Sequence, residues 1–193
     1  MVRKYTDKEL LDRVKSLSSF KSIPKGYWLL GVRSLEDTPN KFDDKFYLFK
    51  GEEFVLVLQG TTNPGTPILN KGYLEFNKAG AAIVKSNEWY YNLWKYGLHR
   101  GKMPALLQLG NKIKVHRDGD NDNKSEELGG VIEGYYGINF HSNNYDLTTK
   151  LKKEDINGWS AGCQVSNDIL NYKKVIDLVK PQEIVSYCLI QEF

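Results

Sequence analysis

From Tyr27 onward the chain is built of short apolar and aromatic runs, YWLLGVRS, KFYLFKG and FVLVLQGTTN, cut by polar breaks. Runs of this length, rich in Val, Leu, Phe and Tyr, suit strands and are too short for most helices. The breaks, LEDTPNKFDD and TTNPGTPILNKG, hold Pro, Gly, Asn and Asp, whose backbone preferences make loops. AAIVKS, ALLQLG, KIKVHRD, EGYYGINF and the closing IVSYCLIQEF continue the pattern. It predicts a mainly β chain of the α+β kind.

Three segments read as helices. TDKELLDRVKSLSSF, residues 6–20, opens with Thr6 and Glu9 at capping-box spacing, and Leu10, Val14 and Leu17 recur on one face widened by Leu11. NDILNYKKVIDLVK takes Asn167 as cap, aligns Ile169, Tyr172, Ile176 and Val179, and ends at Pro181. SNEWYYNLWKYG predicts a short helix from Ser86 with Trp89, Leu93 and Tyr96 on one side. No repeat or linker divides the chain. The expectation is one domain over 1–193, with an N-terminal helical segment at 1–22 and a β-rich remainder at 23–193.

The 193 residues carry a formal charge of +3, with acids and bases interspersed. That is too small and too scattered to argue for nucleic acid, and no nucleic-acid partner is expected. No apolar run approaches the roughly 18 residues of a membrane helix. MVRKYTDKELLDRVKS lacks the apolar core of a secretory signal, so synthesis in the cytoplasm is expected. Two cysteines do not make a disulfide framework. Cys188, within IVSYCLIQEF, reads as a core residue.

The other cysteine, Cys163, follows Ser160-Ala161-Gly162, and His141 lies twenty-two positions earlier at the end of YYGINFH. A cysteine attacks as thiolate, so a nucleophile needs a base or a helix N-terminus beside it. Cys163 precedes the predicted helix. Gly162 permits a tight turn whose amides, with that of Cys163, can face an oxyanion. Ser160 can hold the loop. His141 at a strand end can act as base, with Ser142 fixing its tautomer.

His141-Ser142, a spacer, and Ser160-Ala161-Gly162-Cys163 together resemble the signature of the L,D-transpeptidase catalytic domain (YkuD type). The resemblance covers about residues 133–190 and extends to a helix and closing strand after the cysteine. It implies a β sandwich or barrel acting on peptidoglycan stem peptides through a thioester, with Cys163 as nucleophile, His141 as base and Gly162 at the oxyanion turn. The chain departs from the family at Ala161, where the family has His, and at Gln164-Val165. The earlier half, with GVRS, PNKFDD and GLHRGKMPAL, is similar to uncharacterised phage and bacterial proteins sharing the WSAGCQ turn.

Substrate-binding candidates are Arg100 and His99, in the Gly-bounded loop GLHRGKMPAL with Lys102, and Trp159 at the head of the cysteine turn. A guanidinium holds a carboxylate as a fork. His99 and His116 lack zinc-site spacing. Asp118, Asp120 and Asp122 occupy the first three ligand positions of a calcium loop, with Asn123 where Gly is usual and Gly129 where Glu is usual. Glu126 or Glu127 can stand in, so a structural calcium ion is possible and no cofactor is required. The chain thus reads as a cysteine acyl-transfer enzyme for peptidoglycan peptides, by hydrolysis or transpeptidation. Without a leader it suits a phage-encoded enzyme reaching the wall at lysis or in a virion. The alternative is a non-catalytic binding module, such as a virion component. Oligomeric state is left open.

Overall fold

The computed structural model describes residues 1–72 and 77–193. The strands are β1 (Tyr27–Arg33), β2 (Asp44–Lys50), β3 (Glu53–Thr61), β4 (Ala81–Val84), β5 (Glu88–His99), β6 (Met103–Leu107), β7 (Ile113–Asp118), β8 (Ile132–Gly134), β9 (Phe140–Ser142), β10 (Gln164–Ser166) and β11 (Val185–Gln191). With the helices α1 (Asp7–Lys15) and α2 (Ile169–Val179), they make a mainly β protein. Eight strands close a barrel in the order β1-β11-β5-β6-β9-β10-β3-β2, and β4, β7 and β8 form a separate sheet. Among the described residues no helix is long and apolar enough to cross a membrane.

At β1 and β11 the barrel wall is covered on both faces, which is why these strands read as near-continuous apolar runs. β1 turns Leu29 inward onto Phe46, Leu48 and Leu58, and turns Trp28, Leu30 and Val32 outward. The outward set is covered by Leu10, Leu11 and Val14 of α1 and shares its cluster with Cys188 and Ile190. Each such side chain contributes about 1.5–3 kcal/mol by leaving water. The start of α1 is held as its sequence predicts: Glu9 N–H donates to Thr6 Oγ1 (3.2 Å), and Thr6 N–H to the Glu9 carboxylate (2.7 Å).

The segment from Ser86 is not a helix but lies mostly within the long strand β5. Its aromatics alternate: Trp89 joins the outer cluster, while Tyr90 and Trp94 enter the barrel core. Contacts on two faces override a helical spacing that would have used one. α2 forms where expected, but its cap is Asp168, which accepts from Asn171 N–H at 3.2 Å. Asn167 instead gives its amide to Lys153 O at 3.0 Å. α2 lodges Tyr172, Val175, Ile176 and Val179 in the barrel cluster.

β9 and β10 run parallel, with Phe140 opposite Gln164, His141 opposite Val165 and Ser142 opposite Ser166. Phe140 points into the core, and Gln164 Oε1 accepts from the core Tyr187 hydroxyl at 2.6 Å. The alternation therefore turns His141 and Val165 to the outer face. Cys163 packs there too, with Val165, Phe42, Ile156 and Trp159.

Candidate active site

His141 is only 2% exposed, and its Nδ1 lies 2.8 Å from Ser142 O. A carbonyl oxygen only accepts, so Nδ1 carries the proton and Nε2 keeps its lone pair. Burial, then the neighbouring His99, and to a smaller extent Arg100, push its pKa down to about 3; the Ser142 carbonyl opposes them. The ring is a neutral base at neutral pH. Ser142 fixes the tautomer through its backbone carbonyl, while its hydroxyl accepts from Asn144 N–H at 3.2 Å.

His99 ends β5 and stacks on His141, with ring centroids 4.2 Å apart and planes 20° from parallel. Asn139 orients it. Asn139 Oδ1 accepts from Gln108 N–H (2.9 Å), so its amide nitrogen donates to His99 Nδ1 (3.1 Å). His99 therefore holds its proton on Nε2, and burial followed by Arg100 lowers its pKa. The residues set out three role-bearing groups that sequence reasoning missed: Asn139, Gln108 and Tyr145. Asn139 was within reach, because it stands two residues before His141 in the run YYGINFH, which the sequence reads as a strand.

Cys163 precedes β10, and α2 begins only at Ile169, so the thiol does not sit at a helix N-terminus as the sequence predicted. Its sulfur donates to Gly137 O at 3.5 Å, and among the described residues that carbonyl, not the imidazole, is its hydrogen-bond partner. Burial pushes the thiol above its ordinary value, against smaller opposing effects of the Asn139 backbone and Arg100. Burial thus acts against the low-pKa thiolate that the sequence reading looked for.

The turn ahead of it is tied by Ser160, whose hydroxyl accepts from Gly162 N–H (3.2 Å) and donates to Cys163 O (2.8 Å). The Gly162 amide is thus engaged within the turn rather than turned to an oxyanion. Gly162 has φ +128°, and a Cβ there would lie 2.6 Å from Ala82 O, so only glycine fits.

A cavity of about 300 Å³ opens beside His141, lined by His99, Arg100, His141, Tyr145, Gly158 and Trp159, and Cys163 is not among its lining. Trp159 lines this cavity and also packs on Cys163. Lys153 lies 4.2 Å over its ring and Tyr145 leans on it at 5.5 Å. Arg100 and Gly101 form the β5–β6 turn with φ 52° and 70°. The Arg100 guanidinium makes no ion pair among the described residues. Lys102, in the same turn, is exposed and does not line the cavity. A larger groove of about 560 Å³ runs along Tyr91, Lys112 and Tyr135, and neither cysteine nor histidine is among its lining.

The acidic loop is arranged differently from its sequence spacing. Asp120, Asp122 and Glu126 bring oxygens within 4.8 Å of one another on the surface. Asp118 is buried at the end of β7 and accepts from Glu126 N–H at 2.9 Å. His116 is buried, with Nδ1 3.1 Å from Leu128 O and Nε2 3.4 Å from Glu127.

Comparison of the chain with protein-family models, with curated proteins and with solved structures returned no match.

Proposed function

We propose that the protein is a cysteine-dependent acyl-transfer enzyme with an L,D-transpeptidase-like barrel, acting on peptidoglycan stem peptides. One observation carries the reading: the parallel β9–β10 register, which sets His141 opposite Val165 and brings Cys163, in the turn just before β10, to the same outer face. The fixed tautomer supports it, since the nitrogen left free on His141 is the one that can take a proton.

The chemistry starts from a neutral pair. The Cys163 side chain leaves Gly137 O by a change of rotamer, and its proton passes to His141 Nε2 as sulfur bonds to the peptide carbonyl carbon. The oxyanion collapses, the C–N bond breaks, and the imidazolium returns the proton to the departing amine. The thioester is then attacked by an acceptor amine, giving transpeptidation, or by water, giving cleavage. His141 takes the attacker's proton and passes it to the departing sulfur. Arg100, with Trp159 opposite, holds a substrate carboxylate. Such an enzyme reaches the wall when released at lysis or carried in a virion.

The raised thiol and the engaged Gly162 amide favour the second reading, a binding module that keeps the fold without turnover. Incubation with purified stem peptides, followed by mass spectrometry, separates the two. The enzyme reading expects shortened or cross-linked peptides and an acyl adduct on Cys163, both lost in Cys163→Ala. Unaltered peptides with no adduct leave the binding module.

A further inference from the structure

The groove of about 560 Å³ lies between the first residues of β5, the sheet of β7 and β8, and the segment Ser19–Lys21. Its volume falls in the range of small-ligand sites. Tyr91 is in its β5 wall, while His99 stands at the other end of that strand, roughly 25 Å off by strand length.

The lining is fixed before any ligand arrives. The Tyr91 ring stacks on Trp89, with centroids 5.0 Å apart and planes 10° from parallel. Its hydroxyl accepts from Lys21 N–H (2.8 Å) and Ser22 N–H (3.2 Å) and donates to Ser22 O (3.1 Å). Tyr135 is 61% exposed, yet its hydroxyl is tied to Gly110 O at 3.2 Å. Asn111 gives its amide nitrogen to Tyr91 O at 2.9 Å, which leaves Oδ1 an acceptor of set orientation. Side chains already held lose little freedom when a ligand binds.

The charges in the lining narrow the ligand. Glu88 is engaged by Lys85 and Lys114 at 2.9 Å each. Lys21, Lys112 and Glu133, which make no ion pair among the described residues, carry both signs. Such a lining selects neither a polyanion nor a cation. Lys114 and Glu133 stand opposite one another in the β7–β8 pairing, so the groove meets the face of that sheet and not its edge. A peptide has no free strand edge to extend there, and recognition falls to side chains. Aromatic carbon ringed by donors and acceptors complements a sugar, which has an apolar C–H face and hydroxyls that both donate and accept. Asn111 Oδ1 and the ammonium of its neighbour Lys112 supply an acceptor and a donor, as the N–H and C=O of an acetamido group require.

We infer that this groove binds a neutral oligosaccharide of N-acetylated amino sugars, with Tyr91 and Tyr135 as stacking platforms and Asn111, Lys112 and Glu133 as hydrogen-bonding groups. The site does not depend on the Cys163 chemistry. In the proposed enzyme it holds the glycan strand from which the stem peptides hang.

The test titrates the full chain with N,N′,N″-triacetylchitotriose by calorimetry and maps the amide NMR shifts. One saturable event is expected, with shifts centred on Tyr91, Asn111, Glu133 and Tyr135. Tyr135→Ala and Asn111→Ala each weaken binding at least about tenfold. Tyr135→Ala, at an exposed position, keeps the parent Tm. Maltotriose, which lacks the acetamido groups, binds at least about tenfold more weakly. Cys163→Ala binds as the parent does, so a failure of turnover on stem peptides leaves the groove standing and is distinguishable from a failure of this site. Absence of saturable heat and shifts overturns the inference. So do undiminished binding in both groove variants, equal affinity for maltotriose, or tighter binding of trialanine than of the sugar.

Discussion

His99 and His141 lie face to face, 4.2 Å between ring centroids, with the proton on Nε2 of the first and Nδ1 of the second. Two stacked imidazoles resist a second charge, so His99 adds to burial in keeping His141 neutral, and in the proposed enzyme it is a positioning residue. His99→Phe retains a flat ring and removes the charge. The acid limb of kcat/KM is then expected to move to higher pH, toward the ordinary histidine value, with Tm at pH 7 nearly unchanged. A limb that stays in place refutes the coupling.

Stability should depend on pH through two opposed groups. His141 has a folded pKa of about 3 against an ordinary 6.5. Between those values the unfolded chain binds a proton that the folded chain refuses, so stability falls as pH drops through that window. Asp44, buried and beside Asp43, is raised from 3.8 to about 7. Its contribution is present below its ordinary value and is lost as pH rises through about 7. From pH 7 to pH 4, His141→Gln should therefore lose less Tm than the parent, and Asp44→Asn should lose more. Melting curves across that range check both signs.

Cys163 should label slowly with iodoacetamide at pH 7 and faster as pH rises past its ordinary thiol range, because burial raises it. It should still label before Cys188, which is fully buried and raised much further. Peptide mapping over a pH series measures both. Fast labelling that is flat below pH 7 indicates a resting thiolate–imidazolium pair instead. Cys163→Ala should lower turnover by at least about a thousandfold.

Arg100 sits at φ 52°, a conformation that glycine adopts freely. Arg100→Gly should leave Tm unchanged or slightly higher. KM for peptides ending in a free carboxylate should rise about ten- to hundredfold, the loss of one charged hydrogen-bonded contact. An unchanged KM assigns the carboxylate to another group.

Gly162→Ala tests the turn. The added methyl meets Ala82 O at 2.6 Å, and φ +128° is strained for any side chain. A stability loss of about 1–3 kcal/mol is expected, together with a loss of turnover larger than that of any surface variant of equal stability. Denaturant melts and kinetics on the same preparation give the comparison.

The strands of the barrel were legible because residues such as Leu29, Phe46 and Leu48 sit in runs that only a buried wall explains. β5 was not, since Trp89, Leu93 and Tyr96 recur at helical spacing while Tyr90 and Trp94, which fill the barrel, fall between them. In the site, the small residues of the Ser160–Gly162 turn and the position of His141 were readable from local pattern. The His99 stack was not, because contact between the ends of β5 and β9 follows from closing the barrel and leaves no spacing in the chain. The cap at Asp168 rather than Asn167, with β10 between Cys163 and α2, likewise depends on pairing with β9, a partner that local spacing does not reveal.

Parallel neighbours cannot be joined by a hairpin. The chain between β9 and β10 must therefore make a long excursion, and it spends that length over the cavity, carrying Tyr145, Lys153 and Trp159. The wall that carries His141 and the roof above it are thus decoupled in sequence: insertions or deletions around Thr149–Lys152 leave the register of His141 and Val165 untouched. The shape of the cavity has a ready place to diverge there, in an exposed stretch that can change length while the strand pairing beneath it stays fixed.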